Sequence, residues 1–230
     1  MKLGVLTGLA AEARLLERAL TGSDVIVART GAVPERARGA AESLVAAGAG
    51  ALLSFGLAGG LDPRLRAGDL VLADRVVLPD GRSIPTTPAW HEAAWLRIGA
   101  GNRTLTGAVA GSPTLLTSVA DKRRIHQETG ALAADMESHA LAAVAEAAGL
   151  PFLVLRAISD PVTYDLPSVA RLPLHPDGRV RIAAALRHLC ANPREWPHVQ
   201  RLGRDTRAGL VGLRRVVRAA APALSALAPN

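Results

Sequence analysis

Aromatic residues, cysteines and long apolar runs are all scarce in this chain of 230 residues. Phe, Trp and Tyr account for 3% of it, and its one cysteine, Cys190, excludes an intrachain disulfide and has no Cys or His at metal-ligand spacing. No apolar run approaches the roughly 20 residues that span a bilayer, and the first residues are typical of a strand rather than a signal peptide. Hydrophobic residues nevertheless make up 49% of the chain, enough for one substantial core. We therefore expect a globular cytoplasmic protein without a metal site, in which Cys190 is a packed core residue.

Acidic residues are in the minority, which leaves a formal net charge of +7. Most of the excess lies in residues 194–230, which hold seven arginines against Glu195 and Asp205. A basic chain can bind nucleic acid, but this sequence has no zinc-finger spacing, no RNP-like run and no Gly-Lys-Ser/Thr phosphate loop. We therefore expect no nucleic-acid partner.

Short apolar runs alternate with helical patterns, which is typical of a parallel sheet covered by helices on both faces. The predicted strands are 2–7, 25–29, 51–55, 69–78, 105–110 and 152–158, and the predicted helices are 10–20, 34–47, 119–129 and 136–148. Gly149 and Pro151 end the last of these helices. The sequence predicts an α/β fold, a three-layer α/β/α sandwich around a mostly parallel mixed sheet, with residues 1–165 as its core and 166–230 as a C-terminal extension.

Glycines follow two of the predicted strands, as Gly8 after the first and Gly56-Leu57-Ala58-Gly59-Gly60 after the third. Ligands of such sheets bind beyond the carboxyl ends of the strands, where glycine lets backbone N–H groups approach. We expect these loops to build the pocket, with Leu57, Ala58 and Gly59 in contact with the substrate. Glycines that only allow tight turns are the alternative, because neither cluster matches the dinucleotide-binding pattern.

Two acids stand near the ends of predicted elements, Glu137 of Asp135-Met136-Glu137 at the start of a helix and Asp160 just past a buried strand. Acids on neighbouring rigid elements can share the cleavage of a glycosidic C–N bond, one holding the ribose hydroxyls and the other protonating the departing base. This pair predicts an enzyme that cleaves nucleosides.

Four motifs occur in one order along residues 1–162: the first strand through Glu12, Ser54 to Leu61 with Gly68 to Val71, Asp135-Met136-Glu137, and Pro151 to Asp160. In this order they resemble the purine nucleoside phosphorylase and methylthioadenosine/adenosylhomocysteine nucleosidase superfamily. Within this superfamily, the sequence is similar to the hopanoid-associated phosphorylase subfamily in four features. These are the motif variants Thr7 to Arg14, Met136 to Ala140 and Ser159-Asp160-Pro161, and the arginine-rich tail. Members of that subfamily are implicated in releasing adenine from adenosylhopane to give a ribosylated hopanoid.

The resemblance implies a role for each of five residues. Asp160 would protonate purine N7, Glu137 would hold the ribose 2′- and 3′-hydroxyls, and Met136 would contact the sugar. Glu12 would position an attacking water, and Ser159 would support Asp160. Structural alternatives remain open: a turn cap for Asp160, a helix-start acid favoured by the macrodipole for Glu137 or Glu12, and a turn residue for Ser159.

The sequence departs from the phosphorylases of the superfamily at the phosphate site. Where they carry an arginine after the first strand and an Arg-x-Gly-Ser run after the third, this chain has Ala11 or Glu12 and Ser54-Phe55-Gly56-Leu57. Arg14, Arg29 or Arg36 would have to substitute. We therefore expect water as the acceptor and no cofactor, with phosphate as co-substrate the alternative. The loop expected to stack on the base carries Leu115 rather than an aromatic residue, so aliphatic packing would replace stacking.

Residues 196–230 predict a basic amphipathic helix with opposed faces. Its apolar face comprises Val199, Leu202, Leu210, Leu213, Val217, Ala220 and Leu224, and its arginine face Arg201, Arg204, Arg207, Arg214, Arg215 and Arg218. Such a helix either docks on the core with its arginines in solvent or lies on an anionic membrane surface with Trp196 near the interface.

Two functions of different classes stay open. The first is an N-glycosidase or phosphorylase that releases adenine from adenosylhopane or another adenosine-headed lipid, with a methylthioadenosine/adenosylhomocysteine nucleosidase or another purine nucleoside phosphorylase as the alternative enzyme. The second is a non-catalytic basic protein that binds membrane or nucleic acid. Glu12, Glu137 and Asp160 together favour the enzyme, because a binding scaffold has no need of all three. We expect a homo-oligomer that visits the inner face of the cytoplasmic membrane.

Overall fold

The computed structural model describes residues 2–19, 24–98, 103–172, 175 and 178–226, with the backbone alone for residues 19 and 220–226. Among these residues the strands are β1 (Lys2–Thr7), β2 (Val25–Arg29), β3 (Ala49–Gly60), β4 (Leu70–Val77), β5 (Ser83–Pro85), β6 (Thr104–Gly111), β7 (Ala133–Asp135) and β8 (Phe152–Asp160). The α-helices are α1 (Ala10–Ala19), α2 (Pro34–Ala46), α3 (Pro88–Ile98), α4 (Val119–Thr129), α5 (Ser138–Ala148), α6 (Ile182–Ala191) and α7 (Trp196–Ala226).

The strands form one mixed sheet. β1 lies between β2 and β3, all three parallel, and β8 runs parallel to β3 from Phe152 opposite Leu52 to Asp160 opposite Gly59. β8 pairs with β4, β4 with β6, β6 with β7, and β7 with the end of β3, so that part of the sheet closes into a ring. The pairs β3–β7, β4–β5 and β4–β8 are antiparallel and the others parallel, which confirms the mostly parallel mixed sheet.

Alternating strand residues enter two apolar clusters, one on each face of the sheet. Leu53 and Phe55 of β3 pack with Trp90 of α3 and with Leu213 and Val216 of α7. On the opposite face, Leu52 packs with Leu44 of α2 and Leu141 of α5. Helices therefore cover both faces, as predicted for a three-layer α/β fold.

Several element boundaries differ from the prediction. The run Gly56 to Gly60, predicted to be a loop, is the second half of β3, so a strand rather than a loop carries Leu57, Ala58 and Gly59. The helix predicted from Met136 begins at Ser138 and has Glu137 as its N-cap, while Gly149 ends it in the left-handed conformation with φ of 64°. The short strands β5 and β7 and the helices α3 and α6 were not predicted. Leu20, the predicted end of the first helix, lies outside the described residues.

Helix α7 packs on the sheet through its apolar face. Leu213 and Val216 are fully buried, and a Cβ added at Gly209 would lie 2.7 Å from Leu57 Cδ2 and 3.1 Å from the Ile158 carbonyl oxygen. The arginine face stays in solvent at Arg204, Arg207, Arg214, Arg215 and Arg218. Two roles were predicted for this helix, and its described side chains support the first, docking on the core. Their apolar face is buried against the sheet and cannot contact lipid in this arrangement. The boundary at residue 165 stays a prediction.

Helix α6 is the most exposed apolar helix among the described residues. Ile182 is 69% and Leu186 51% exposed, and Val180 just before the helix is 62% exposed. Cys190 is also exposed, so the prediction that it is a packed core residue was wrong. None of the described helices, α6 and α7 included, combines the length and apolar character required to cross a membrane.

Candidate active site

Glu12 is held by backbone amides at the start of α1. Its Oε2 accepts hydrogen bonds from the N–H groups of Gly8 (2.9 Å) and Leu9 (2.7 Å), and its Oε1 accepts one from the Leu57 N–H of β3 (2.8 Å). The side chain is 2% exposed. Gly8 lies between the end of β1 and α1, so the carboxylate occupies a cradle of amides at a helix N-terminus, the usual place for a bound anion.

Arg156 is a fully buried guanidinium in the middle of β8 and joins the acids of the site. Its Nε lies 2.7 Å from Asp135 Oδ2, a charge contact without hydrogen-bond alignment, and its Nη1 lies 3.6 Å from Glu137 Oε2. Its Nη2 donates to the hydroxyls of Ser54 (2.5 Å) and Ser138 (3.1 Å). Every arm of the guanidinium therefore has a partner, as a buried charge requires.

Glu137 lies between Arg156 and the first strand. Its Oε1 accepts a hydrogen bond from Thr30 Oγ1 (3.3 Å), and a Cβ at Gly8 would lie 2.9 Å from the same oxygen and 3.6 Å from Glu12 Oε2. Asp135 fixes the backbone of this turn, because its Oδ1 accepts from the N–H groups of Glu137 (2.8 Å) and Ser138 (2.7 Å). Glu12 and Glu137 thus face one another across Gly8.

Glycine at position 56 is required by this cluster. A Cβ there would lie 2.7 Å from Arg156 Nη1 and 2.8 Å from Glu12 Oε1, closer than real Cβ atoms approach such groups. The alternative explanation of this glycine, a tight turn, does not apply, because Gly56 lies within a strand. It lets the backbone of β3 lie against the charged side chains.

Asp160 ends β8 and is 8% exposed. Its Oδ1 accepts a hydrogen bond from Ser159 Oγ (2.6 Å), and its Oδ2 and carbonyl oxygen accept from Lys122 Nζ at 2.7 and 2.8 Å. The strand register places Gly59 opposite Asp160 on one side and opposite Ala134 on the other. The two acidic segments therefore flank one residue of β3, with about 10 Å between their backbones at ordinary strand spacing.

The other predicted substrate contacts lie on the same elements, with one exception. Ala58 is buried, and Leu57, Gly59 and Met136 are half-buried. Leu115 is 41% exposed in the segment between β6 and α4. Arg14, Arg29 and Arg36, predicted as substitutes for a phosphate-binding arginine, are exposed on the surface.

Burial sets the ionisation of the two glutamates. Desolvation is the largest influence on Glu137 and, against the attraction of Arg156, raises its pKa to about 7. Desolvation likewise raises the pKa of Glu12, although the amides of Leu57, Leu9 and Gly8 and the charge of Arg156 oppose it. Raised carboxyl pKa values next to one another are typical of sites that move protons near neutral pH.

Two residues of the site, Arg156 and Lys122, were missed by sequence reasoning. Arg156 had a signal that could have found it, because a charged residue in the apolar run Phe152–Asp160 must be paired in the core. Lys122 had none, since a lysine in the first turn of a polar helix is ordinarily solvated. Only the packing of α4 against the end of β8 brings it to Asp160.

Residues 9–171 of the chain match the Phosphorylase superfamily, and the chain belongs to this family. It is 31% identical to 5′-methylthioadenosine/S-adenosylhomocysteine nucleosidases from Mycobacterium bovis and Mycobacterium tuberculosis, in matches that cover 46% of this chain and 56% of each relative. The chain thus spans just over half the length of these curated relatives. The superfamily resemblance is confirmed, and its hopanoid-associated branch stays a prediction.

Solved structures share the fold over nearly the whole chain. A 5′-methylthioadenosine/S-adenosylhomocysteine nucleosidase from Helicobacter pylori superposes with a TM-score of 0.68 at 18% identity, covering 94% of this chain and 97% of that one. A futalosine hydrolase from the same organism gives 0.69 at 18% identity with the same coverage. The nucleosidase of S. pneumoniae gives 0.69 at 16% identity, over 95% of this chain and 99% of that one. At these identities the likeness establishes the architecture alone.

Proposed function

We propose that this protein hydrolyses the N-glycosidic bond of a purine nucleoside. The observation that carries the proposal is the pair of acidic segments on either side of Gly59, one with Glu12 and Glu137 around Arg156 and the other with Asp160. The two segments stand about 10 Å apart on either side of β3, so a nucleoside lying across the end of β3 has its ribose toward the glutamates and its base toward Asp160. The nucleosidase names of the relatives agree with this reaction.

Each acid has a chemical task in such a cleavage. Glu137 accepts the ribose hydroxyls, Glu12 takes a proton from the attacking water at C1′, and Asp160 protonates N7 of the purine as the C1′–N9 bond breaks. Asp135 and Glu137 contact Arg156, and Glu12 is attracted by the same charge, so the acids of the buried cluster outnumber its one arginine and favour the positive charge that develops on the sugar. Ser159 keeps the Asp160 carboxyl in place through the bond to Oδ1.

Water is favoured over phosphate as the acceptor for a structural reason. The amides of Gly8 and Leu9 form the cradle in which a phosphate would lie, and the carboxylate of Glu12 already fills it. A phosphate dianion there would be repelled by the carboxylates of Glu12 and Glu137, and the buried Arg156 is already paired with Asp135 and Glu137.

Adenine release from 5′-methylthioadenosine, followed with and without inorganic phosphate, tests both parts of this proposal. We expect equal rates in the two buffers and a sugar product with a free C1′ hydroxyl. A rate that depends on phosphate, with a sugar 1-phosphate as product, would contradict hydrolysis but not nucleoside cleavage. No release from any adenosine derivative would contradict the activity itself.

We further propose that the preferred nucleoside carries a lipophilic 5′ substituent, as adenosylhopane does. The motif variants that resemble the hopanoid-associated branch support this choice, and so does the exposed apolar surface of α6, because the segment before this helix touches the site. A Cβ at Gly178, just before α6, would lie 2.9 Å from the Gly8 carbonyl oxygen and 3.1 Å from Leu9 Cα. The segment that leads into α6 is thus packed on the loop that holds Glu12.

An anionic membrane is the surface that suits the exposed side of α6. Val180, Ile182 and Leu186 project into solvent, Arg181 and Arg187 flank them, and α6 contains no acid. The same arginines and Ile182 line a cleft of about 370 Å³. Apolar side chains ringed by arginines fit the boundary between headgroups and acyl chains, where each arginine adds about 1 kcal/mol. This replaces the membrane role first predicted for the apolar face of α7.

Vesicle co-sedimentation distinguishes a membrane surface from an ordinary exposed helix. We expect the protein to bind phosphatidylglycerol vesicles in a salt-sensitive manner, to ignore pure phosphatidylcholine vesicles, and to lose binding on Ile182→Asp with Leu186→Asp. Val211→Asp is the matched control, because Val211 is exposed on α7 at a distance in sequence from α6. Absence of binding, or an equal loss with Val211→Asp, would refute the membrane role of α6.

A further inference from the structure

Lys122 is the one lysine among the described residues that is completely removed from solvent. It lies in the first turn of α4, and its ammonium group donates two hydrogen bonds within the described structure, both to Asp160, to Oδ2 at 2.7 Å and to the carbonyl oxygen at 2.8 Å. A lysine is almost never fully buried unless it is paired, and a buried ammonium costs several kcal/mol of desolvation. A side chain that only filled space would be apolar here.

Lys122 is the cation paired with the Asp160 carboxyl group in the described structure. Ser159 of β8 contributes a neutral hydroxyl, and β3 contributes Gly59, whose missing side chain leaves room for Lys122 Cε (3.5 Å from an added Cβ) and Asp160 Oδ2 (3.1 Å). Tyr164 follows the strand and donates to Asp205 of α7 at 3.0 Å. Other charged groups on these elements have partners of their own. Arg156 of β8 contacts Asp135 and Glu137, and Arg124 of α4 pairs with Asp121 and Glu128. Asp165 accepts from the Val119 N–H, and Arg201 stacks on Tyr164.

We propose that Lys122 is a positioning residue that acts through Asp160, holding its carboxyl group and stabilising the anion left when Asp160 gives its proton to the leaving base. This inference rests on the proposed nucleoside cleavage. The proton that Asp160 takes up from solvent moves to purine N7 while the C1′–N9 bonding electrons go to the base. The negative charge left on Asp160 then lies 2.7 Å from the ammonium group, so the attraction between the two groups grows as the proton leaves and stabilises the transition state.

Two measurements separate this role from one limited to supporting the fold. A positioning residue that acts through Asp160 affects kcat only while the carboxyl group is present at position 160, and another cation at position 122 restores part of the lost rate. A role limited to supporting the fold would change stability and leave the kcat of the folded protein where it is.

The test compares Lys122→Met and Lys122→Arg in the intact chain, with 5′-methylthioadenosine as substrate. Lys122→Met should lower kcat about 10-fold or more and leave KM within about 3-fold. Lys122→Arg should restore kcat toward its original value. The control is Arg123→Met, an exposed neighbour on the same helix that should change neither quantity.

A double variant keeps the proposal falsifiable if Lys122→Met is poorly folded. In the Asp160→Asn background no charge remains to be stabilised, so adding Lys122→Met should cost less than about 2-fold in kcat. An undiminished effect there would refute action through Asp160. Full activity in Lys122→Met, alongside a slow Asp160→Asn, would also refute the inference while leaving the proposed function intact. Full activity of Asp160→Asn would instead overturn the proposed function.

Discussion

Replacing Glu137 by Gln should make this protein more stable above neutral pH while it removes activity. Burial raises the pKa of Glu137 to about 7 from an ordinary value of 4.5, so the folded chain holds a proton that the unfolded chain has released between these pH values. Below pH 4.5 the carboxyl is protonated in both states and costs nothing. Above pH 7 it must be ionised in both, and the folded state bears the full cost of burying the charge.

The size of the effect follows from the separation of the two pKa values. At 1.36 kcal/mol per unit, a rise from 4.5 to about 7 destabilises the folded state by about 3 kcal/mol at alkaline pH. Most of this cost, about 2 kcal/mol, develops between pH 5 and pH 8. Gln at this position keeps the shape of the protonated acid and can still accept from Thr30 Oγ1, so the variant bears no such cost at any pH.

Thermal unfolding followed by circular dichroism at pH 5 and pH 8 measures this difference. For a chain of this size about 3 kcal/mol corresponds to a gain in Tm of roughly 6 to 12 °C at pH 8, and the gain should shrink markedly at pH 5. Glu128→Gln is the control, because Glu128 is exposed on α4 and the same substitution there should change stability by less than about 0.5 kcal/mol. A Tm difference independent of pH, or a variant less stable than the parent at pH 8, would refute the conclusion that burial of the ionised Glu137 carboxylate destabilises the folded state.

Three further outcomes are expected in activity measurements. Asp160→Asn should slow nucleoside cleavage at least about 100-fold with little change in KM, because it removes the general acid; an undiminished rate would show that another group protonates the base. Glu137→Gln should weaken binding of ribosides more than of 2′-deoxyribosides, whereas equal losses for both sugars would make Glu137 structural. Gly56→Ala should abolish activity, because its Cβ would lie 2.7 Å from Arg156 Nη1 and 2.8 Å from Glu12 Oε1; Gly39→Ala, with nothing within 4 Å, serves as the neutral control.

Local patterns in the sequence were sufficient for the elements whose limits are set by their own residues. β1 and β2 agree with their predicted bounds, and so does α4, which Ser118 caps at one end and Gly130 ends at the other in the left-handed conformation. The acids of the site were also accessible, because Glu12, Glu137 and Asp160 stand at element ends within motifs whose order along the chain is characteristic. Capping, glycine conformation and apolar period all act over a few residues, so they can be read before the chain is folded.

The tertiary structure decided what lies opposite each of those residues. The glycines of β3 were predicted as a loop because their spacing could not reveal Arg156 and Glu12 packed against Gly56. Similarly, the opposed faces of α7 show which side is apolar, but only the packed sheet shows that Leu213 and Val216 contact the core rather than lipid. The pairing of Lys122 with Asp160 joins residues 38 apart in the chain, from a helix and a strand whose local patterns are independent. Such contacts are settled by the burial and charge balance of the whole core, because a buried charge is stable only where another element supplies its partner.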